Sequence, residues 1–276
     1  MLRSNGHASH PAVHGERSRQ SGFGLVELLI ALTLGLLLVL GVVQVFLASK
    51  QTFMVQRSAA ILQEDARYLL GRLGQEIRML NMYGCLDLAR LPASIRASVP
   101  AALATPISYA TAGGMPTLSL ITAVPHSESF TLPTTRRPGD YGARWLIVSN
   151  CRDSEDLRIS DAADLLVRPG DLVVPLRQVD YRLKAHALQI RNNGAGNYQT
   201  LLEGVAGLSV SFGLAATSAQ RQVSGVYVSD LAANQTERLR SVKLELQLSD
   251  RPANQAQGRV LAQHFKQVVA LRNRIE

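Results

Sequence analysis

Cysteine is scarce in this chain, and the sequence patterns of common enzymes are missing. The 276 residues include two cysteines, Cys85 and Cys151, and no histidine is close to either in the sequence. Two isolated thiols do not supply the four ligands of a structural zinc site. No G-x-S-x-G, H-E-x-x-H or P-loop pattern occurs. We therefore expect no metal, no cofactor and no catalysis, and an anchored enzyme is the distant alternative.

Two other groups of residues have side chains that can ligate metals. They are the histidines His7, His10 and His14 and the acidic residues Asp153, Glu155, Asp156, Asp161 and Asp164. The acidic spacing does not match a calcium-binding EF-hand loop, so a solvated loop is the expected structure. The three histidines lie near the N-terminus, where a solvated tail is the expected structure. The other histidines, His126, His186 and His264, are far apart in the sequence.

Charged residues are also few, at 18%, although the net charge is +8. The basic residues are scattered in pairs along the chain, at Arg136–Arg137, Arg182 and Lys184, Arg238 and Arg240, and Arg272 and Arg274. A protein that binds single-stranded nucleic acid combines a basic groove with interleaved aromatic residues. Aromatic residues make up only 5% of this chain and do not alternate with a basic stripe. We expect no specific nucleic-acid binding.

A long apolar run is the main feature near the N-terminus. No charged residue lies between Leu28 and Ser49, and at about 1.5 Å per residue a helix of this length crosses the ~30 Å bilayer core. Arginines precede the run, so the N-terminus is expected in the cytoplasm and the bulk of the chain across the inner membrane. A buried core helix is the alternative for a shorter run. A secretory signal peptide would have a shorter apolar core and a small-residue cleavage site.

One carboxylate, Glu27, stands at the beginning of this run. An ionised side chain at the edge of an apolar membrane helix is costly unless it is paired or reaches water. Glu27 either extends to the membrane interface or has a partner. A helix that only anchors the chain has no need of it.

The stretch from Arg19 to Leu29, with Gly22, Phe23 and Glu27, resembles the class III prepilin signal of type IV pilins and type II secretion pseudopilins. The resemblance implies cleavage between Gly22 and Phe23 by a prepilin peptidase and N-methylation of Phe23. It also implies that Glu27 pairs with the new amino terminus of an adjacent subunit during assembly. Gly24 stands where many family members carry Thr or Ser.

A second periodic pattern follows the apolar run. Apolar residues recur every three or four positions, at Leu62, Ala66, Leu69, Leu73, Ile77 and Leu80. This spacing predicts a one-sided helix from about Lys50 to Leu80, continuous with the membrane segment. We expect the helix to end near 81–84, followed by an irregular connection rich in Pro, Ala, Ser and Thr through Pro116.

Alternating apolar residues then predict strands. The expected segments are Thr117–Val124, Arg144–Ser149, a hairpin of Val179–Lys184 with Leu188–Arg191, the run around Leu208–Phe212, the run Val242–Ser249, and His264–Leu271. The clearest is Val242–Ser249, where every second residue is apolar. A long helix followed by strands predicts an α+β fold with an antiparallel sheet.

These patterns divide the chain into a cleaved leader (1–22), a transmembrane assembly helix (23–49), its amphipathic continuation (50–84) and a periplasmic sheet domain (85–276). Because the periplasm is oxidising, the two cysteines are expected to form a disulfide. Cys85 follows the helix and Cys151 follows the Arg144–Ser149 strand, so the bond would link the end of the helix to the sheet.

Four segments resemble the PilW family of type IV pilus minor pilins. They are Ala66–Arg78, Met82–Cys85, Leu202–Val205 and Ala270–Arg274. The resemblance implies a minor pilin in a complex that primes pilus assembly, with other minor pilins, the major pilin and a tip adhesin as partners. The pseudopilin J of type II secretion has a similar helix pattern and is the alternative. Residues 92–140 and 214–236 show no resemblance to the PilW family.

Overall fold

A computed structural model describes residues 22, 24–88, 90–153, 155–250 and 261–271. The expected leader up to residue 21, and Phe23, lie outside the described residues. The chain divides into two compact units, Met1–Met54 and Val55–Glu276.

The first element is a single helix, α1, which spans Leu25–Arg78. The prediction that the apolar run and the amphipathic segment form one helix is therefore confirmed. All six residues of the predicted apolar stripe are at most 5% exposed. Polar neighbours such as Gln63, Glu64 and Arg67 are exposed, so this part of the helix is one-sided as its sequence indicates.

The segment after α1 is more ordered than predicted. It contains two short helices, α2 (Ala93–Arg96) and α3 (Ala101–Ala104), and strand β1 (Ile107–Ala112). The expectation of an irregular connection through Pro116 was therefore wrong in part. Tyr83 and Leu103 are buried here, and the Tyr83 hydroxyl donates to the Leu103 carbonyl oxygen at 2.9 Å. Burial of such side chains orders a segment whose local sequence has no clear periodicity.

The larger sheet has seven antiparallel strands, centred on the long strand β7 (Leu172–Lys184). Its strands are β1, β2 (Met115–Ala123), β4 (Trp145–Ser149), β5 (Leu157–Ser160), β7 (Leu172–Lys184), β8 (Ala187–Asn192) and β9 (Gln199–Glu203). The path β1-β2-β7-β4-β5 forms the main sheet, while β8 pairs with β7 and β9 pairs with β8. The predicted β7–β8 hairpin is confirmed, since Lys184 pairs with Ala187 across its turn.

The smaller sheet has three strands in the order β10-β11-β12. These are β10 (Val205–Leu214), β11 (Leu239–Ser249) and β12 (Ala262–Ala270). The predicted alternation is confirmed in β11, where Val242, Leu244, Leu246 and Leu248 are buried. A third pair, β3 (Thr134–Arg136) and β6 (Leu165–Val167), forms a two-stranded ribbon.

The main hydrophobic core lies between the second half of α1 and both the larger and the smaller sheet. Its buried residues include Leu69 and Leu73 from α1, Val179 from β7, and Phe212 and Leu244 from the smaller sheet. A single helical stripe therefore holds the two sheets together. This arrangement is the predicted α+β fold.

Gly204 shows one backbone requirement of this packing. It lies between β9 and β10 with a φ of +79°, and an added Cβ would come within 2.9 Å of the Ser249 carbonyl oxygen. Its own carbonyl accepts from the Ser249 N–H at 2.8 Å. The residue therefore needs both a left-handed conformation and a bare Cα, which only glycine provides.

Replacing Leu69 with alanine tests the role of the α1 stripe. Because Leu69 is fully buried, L69A should lower the free energy of unfolding by about 2–5 kcal/mol. The chain has a single tryptophan, Trp145, which is 3% exposed, so its fluorescence reports denaturant unfolding of the full chain in detergent. The matched change I61A alters a residue that is 49% exposed and should cost less than about 1 kcal/mol. Equal losses of unfolding free energy in L69A and I61A would show that the α1 stripe is not the core contact.

Candidate functional site

The beginning of α1 brings together the residues that the sequence singles out. The Gly24 carbonyl oxygen accepts hydrogen bonds from the backbone N–H groups of Glu27 at 3.0 Å and Leu28 at 3.2 Å. These bonds form the first turn, and Glu27 lies within it. A carboxylate in this position interacts favourably with the unpaired N–H groups and positive dipole of the helix N-terminus.

Gly22, the residue before the expected cleavage point, is exposed, and a Cβ placed on it would meet nothing within 4 Å. No packing within the described structure therefore requires glycine here. A functional need for glycine at this position would come from a partner of the chain and not from its own packing. Access of another protein to this backbone provides one such reason.

The surface of α1 that follows Glu27 is apolar on all sides. Large apolar residues from Leu25 to Leu47 are 46–79% exposed. The most apolar 18-residue window of this helix has none of its residues buried, and its length and composition suffice to cross a membrane. Such a contiguous apolar surface on a protein marks a contact with lipid or with other proteins.

Glu27 is the only charged side chain in the described part of α1 before Lys50. A Cβ added at Gly35 or Gly41, within the apolar stretch, would meet nothing within 4 Å. The described part of the helix before Lys50 thus offers its neighbours one carboxyl group on an otherwise uncharged surface.

Residues 17–43 match the family model of the prokaryotic N-terminal methylation motif. The match supports a type IV pilin-like protein. The matched residues include Gly22, Phe23, Glu27 and most of the exposed apolar helix. No curated protein and no solved structure matches the chain significantly. The motif implies processing by a prepilin peptidase and assembly with other pilins.

The two cysteines form the second site that the sequence singles out. In the structure Cys85 and Cys151 are joined by a disulfide, with their Cα atoms 5.8 Å apart. Cys85 lies seven residues after the end of α1, and Cys151 lies just after β4. The bond thus ties the segment that leaves the helix to the larger sheet.

Gly84 allows this close approach. It has a φ of +70°, and an added Cβ would overlap the side chain of Leu172 in β7. A side chain at this position would therefore strain the backbone and displace the end of the Leu172 side chain. The Gly84–Cys85 pair combines a bare Cα with the covalent link.

A buried ion pair between α1 and β7 was not predicted. Glu76 is 6% exposed, and its carboxylate accepts from Arg177 at 2.6 Å and from the Thr122 hydroxyl at 2.8 Å. Arg72 donates to the Tyr181 hydroxyl at 3.2 Å, one turn earlier on the helix. The partners are more than 40 residues apart in sequence. The one sign of this contact in the sequence is the position of Glu76, directly before Ile77 of the apolar stripe.

Arg240 was also missed as a structural residue. It is 4% exposed and donates to the carbonyl oxygens of Ser218, Gln220, Glu237 and Leu239. The planar guanidinium group thereby holds together the loop after β10 and the beginning of β11. In the sequence, Arg240 is only one of several scattered charges.

The groups considered for metal binding are not assembled in the described residues. No three His, Cys, Asp or Glu side chains there come together in a way that could hold a metal ion. Asp156 is instead 3.3 Å from Arg158 in an ion pair, and the Asp153 carboxylate accepts from the Glu155 N–H. His126 lies edge-on to Tyr141. His7, His10 and His14 lie outside the described residues.

Removing the disulfide tests its contribution. It closes a loop of 66 residues, so the double variant C85S/C151S should lose about 4 kcal/mol of unfolding free energy by the chain-entropy estimate. Trp145 fluorescence of the full chain, oxidised and reduced, provides the measurement, with the reduced wild-type chain as the matched control. Peptide mapping of protein isolated from cells should give a linked Cys85–Cys151 pair. Alkylation of both thiols without prior reduction would contradict the Cys85–Cys151 disulfide.

Proposed function

We propose that this chain is a minor pilin that helps to prime type IV pilus assembly, in a complex with other minor pilins. The observation that carries the proposal is the matched N-terminal motif on a helix whose apolar surface is exposed on all sides. A surface of this kind is stable in a bilayer and then among the packed helices of a filament. The same helix serves both environments without refolding.

Processing would supply a partner for Glu27. Cleavage after Gly22 creates a cationic amine at Phe23, about one helical turn before Glu27. In a nonpolar helix bundle, this amine on one subunit and Glu27 on another would neutralise each other. A buried ion pair adds little net stability, but it fixes register, because any shift leaves both charges unpaired. N-methylation of Phe23 preserves the positive charge.

The proposed topology has the N-terminus in the cytoplasm, residues 23–49 in the inner membrane and the sheet domain from residue 85 in the periplasm. Two features support it. Arginines precede the apolar run and none occurs within it. The Cys85–Cys151 disulfide suits an oxidising compartment. On pilus assembly the same domain would lie at the filament surface or tip, near the major pilin and a tip adhesin.

The PilW type is proposed over the type II secretion pseudopilin because of the end of the helix. There Gly84 and Cys85 combine the close approach to Leu172 with the disulfide, and this Gly-Cys pair is part of the resemblance to PilW. The two alternatives are separated by deleting the gene and measuring surface pili and secreted proteins separately. Loss of pili with normal secretion supports the pilin, and the opposite result supports the pseudopilin.

Blocking cleavage tests the assignment of Gly22. The variant G22L places a branched side chain at the residue that must enter the peptidase, so the precursor should accumulate in the membrane at its full mass. The control G35L introduces the same side chain into the apolar helix, where a Cβ meets nothing within 4 Å, and should be processed normally. Electrophoretic mobility and intact mass of the membrane-bound chain distinguish precursor from product. Normal processing of G22L would exclude cleavage at this bond.

Neutralising Glu27 tests the assembly step separately. The variant E27Q keeps the side-chain shape but removes the charge, so it should be processed and yet enter pili at least about tenfold less well, since an unpaired buried amine costs more than about 1.4 kcal/mol. The control E64Q removes an exposed glutamate from the same helix and should be incorporated normally. Immunoblots of sheared pili and of membranes give the ratio. Equal incorporation of E27Q would refute the ion pair.

A further inference from the structure

The face of the larger sheet opposite α1 carries a cluster of arginines that the assembly function does not use. In β7, Val179 and Tyr181 point into the core with α1, so the alternate residues Gln178, Asp180 and Arg182 point to the other face. Asp180 pairs in register with Arg191 of β8, and Arg182 pairs with Gln189. We call the group Arg144, Gln178, Asp180, Arg182, Gln189, Arg191 and Tyr198 the arginine patch.

Asp180 organises one side of the arginine patch. Its side chain is 2% exposed, and its carboxylate accepts from Ser119 at 2.7 Å, Gln178 at 2.9 Å and Arg191 at 2.9 Å. Burial by itself raises the pKa of Asp180, but these hydrogen bonds outweigh it and hold the pKa below its usual value. Asp180 therefore stays ionised, and its charge is neutralised by Arg191.

Tyr198 organises the other side. Its ring stacks against the guanidinium of Arg182, whose carbon is 3.6 Å from the ring centre, and against that of Arg191 at 4.4 Å. Stacking of this kind fixes the plane of a guanidinium and the direction of its N–H groups. Both arginines are thus held before any ligand arrives.

Two positive charges of the arginine patch have no acidic partner among the residues that the structure describes. Arg182 donates from Nη2 to the amide oxygen of Gln189 at 2.8 Å. Arg144 donates to the amide oxygen of Gln178 and stacks over Trp145 at 4.6 Å. Neither takes part in a described ion pair. Three arginines and one buried aspartate leave the patch with a net charge of +2.

We propose that the arginine patch binds an acidic segment of another protein through the guanidinium groups of Arg182 and Arg144. On Arg182, Nε is buried and Nη2 donates to Gln189, so Nη1 and the second N–H of Nη2 are the groups that can donate to a carboxylate. A carboxylate pairs well with such a fixed, planar guanidinium. Two uncompensated charges on a flat sheet face suit one or two carboxylates.

Binding of nucleic acid needs a longer track of basic residues along the phosphates. The same face of β7 continues beyond Arg182 with one more cation, Lys184, and the neighbouring strands place the neutral residues Ser108, Thr117 and Thr200 beside the patch.

This inference does not depend on cleavage or on pilus assembly. The arginine patch lies entirely within Val55–Glu276, and the processing motif lies within residues 17–43. Its failure would leave the proposed function unaffected, and failure of the G22L or E27Q tests would leave the patch unaffected.

The test measures the fluorescence anisotropy of a fluorescein-labelled peptide of six glutamates with the purified full chain in detergent micelles. The ionic strength is about 0.1 M, where exposed charges more than about 10 Å apart are largely screened. A peptide of six glutamines with the same label measures binding through the label alone. The double variant R144Q/R182Q should bind the glutamate peptide at least about tenfold more weakly, a loss of about 1.4 kcal/mol. The variant R182K keeps the charge but loses the planar fork, so its affinity should lie between the two.

The matched control R152Q/R221Q removes two exposed arginines outside the patch and should change the affinity less than about twofold, because screened, distant charges contribute little. Near-native Trp145 fluorescence verifies that each variant is folded. No measurable binding of the glutamate peptide, or an equal loss in the control variant, would overturn the proposal. Tighter binding of a thymidine oligonucleotide that depends on the same two arginines would overturn it in favour of a nucleic-acid site.

Discussion

The exposed apolar surface at the beginning of α1 is the constraint on which the account depends. A helix that presents large apolar side chains on every side cannot remain in water as a monomer, because the cost of hydrating that surface is large. The environment that covers it must be lipid or other apolar helices. A single carboxylate, Glu27, lies at one end of that surface and is the only charged side chain in the described part of the helix before Lys50.

The second half of the same helix has a different surface. From Leu62 onward, only one stripe is apolar, and it is buried against two sheets. Glu76 and Arg177 add a charged contact within this interface, where loss of Arg177 would leave the buried Glu76 carboxylate poorly solvated. Further along the chain, the Cys85–Cys151 disulfide secures the segment that leaves the helix. One continuous helix thus combines a surface for assembly with a surface for folding.

The sequence predicted those elements whose periodicity was undisturbed. The α1 stripe and strand β11 were clear, because a spacing of three to four residues or of two has few alternative interpretations. Strand β1 was missed because Ile107–Ala112 lies in a stretch rich in Ala, Ser, Thr and Pro, and its position is determined by pairing with β2. Arg240 was missed because two of its four carbonyl partners, Ser218 and Gln220, lie about 20 residues away and reach it only in the folded chain.

The functional residues also differ in how far the sequence predicts them. Gly22, Phe23 and Glu27 form a local motif that the sequence singles out, and they lie within the matched residues 17–43. The arginine patch was not, because Arg144, Arg182 and Arg191 are separated in sequence. Tyr198 reaches Arg182 and Arg191 only once β7, β8 and β9 have paired. Scattered charges in a sequence can therefore become one surface when adjacent strands place them on the same face.

The mature N-terminus tests the central claim most directly. Intact-mass and terminal-sequence analysis of the chain isolated from cell membranes should show that it begins at Phe23 and carries one methyl group on its amine. A chain that begins at Met1, or one cut after the apolar helix as a secreted protein would be, would contradict the account.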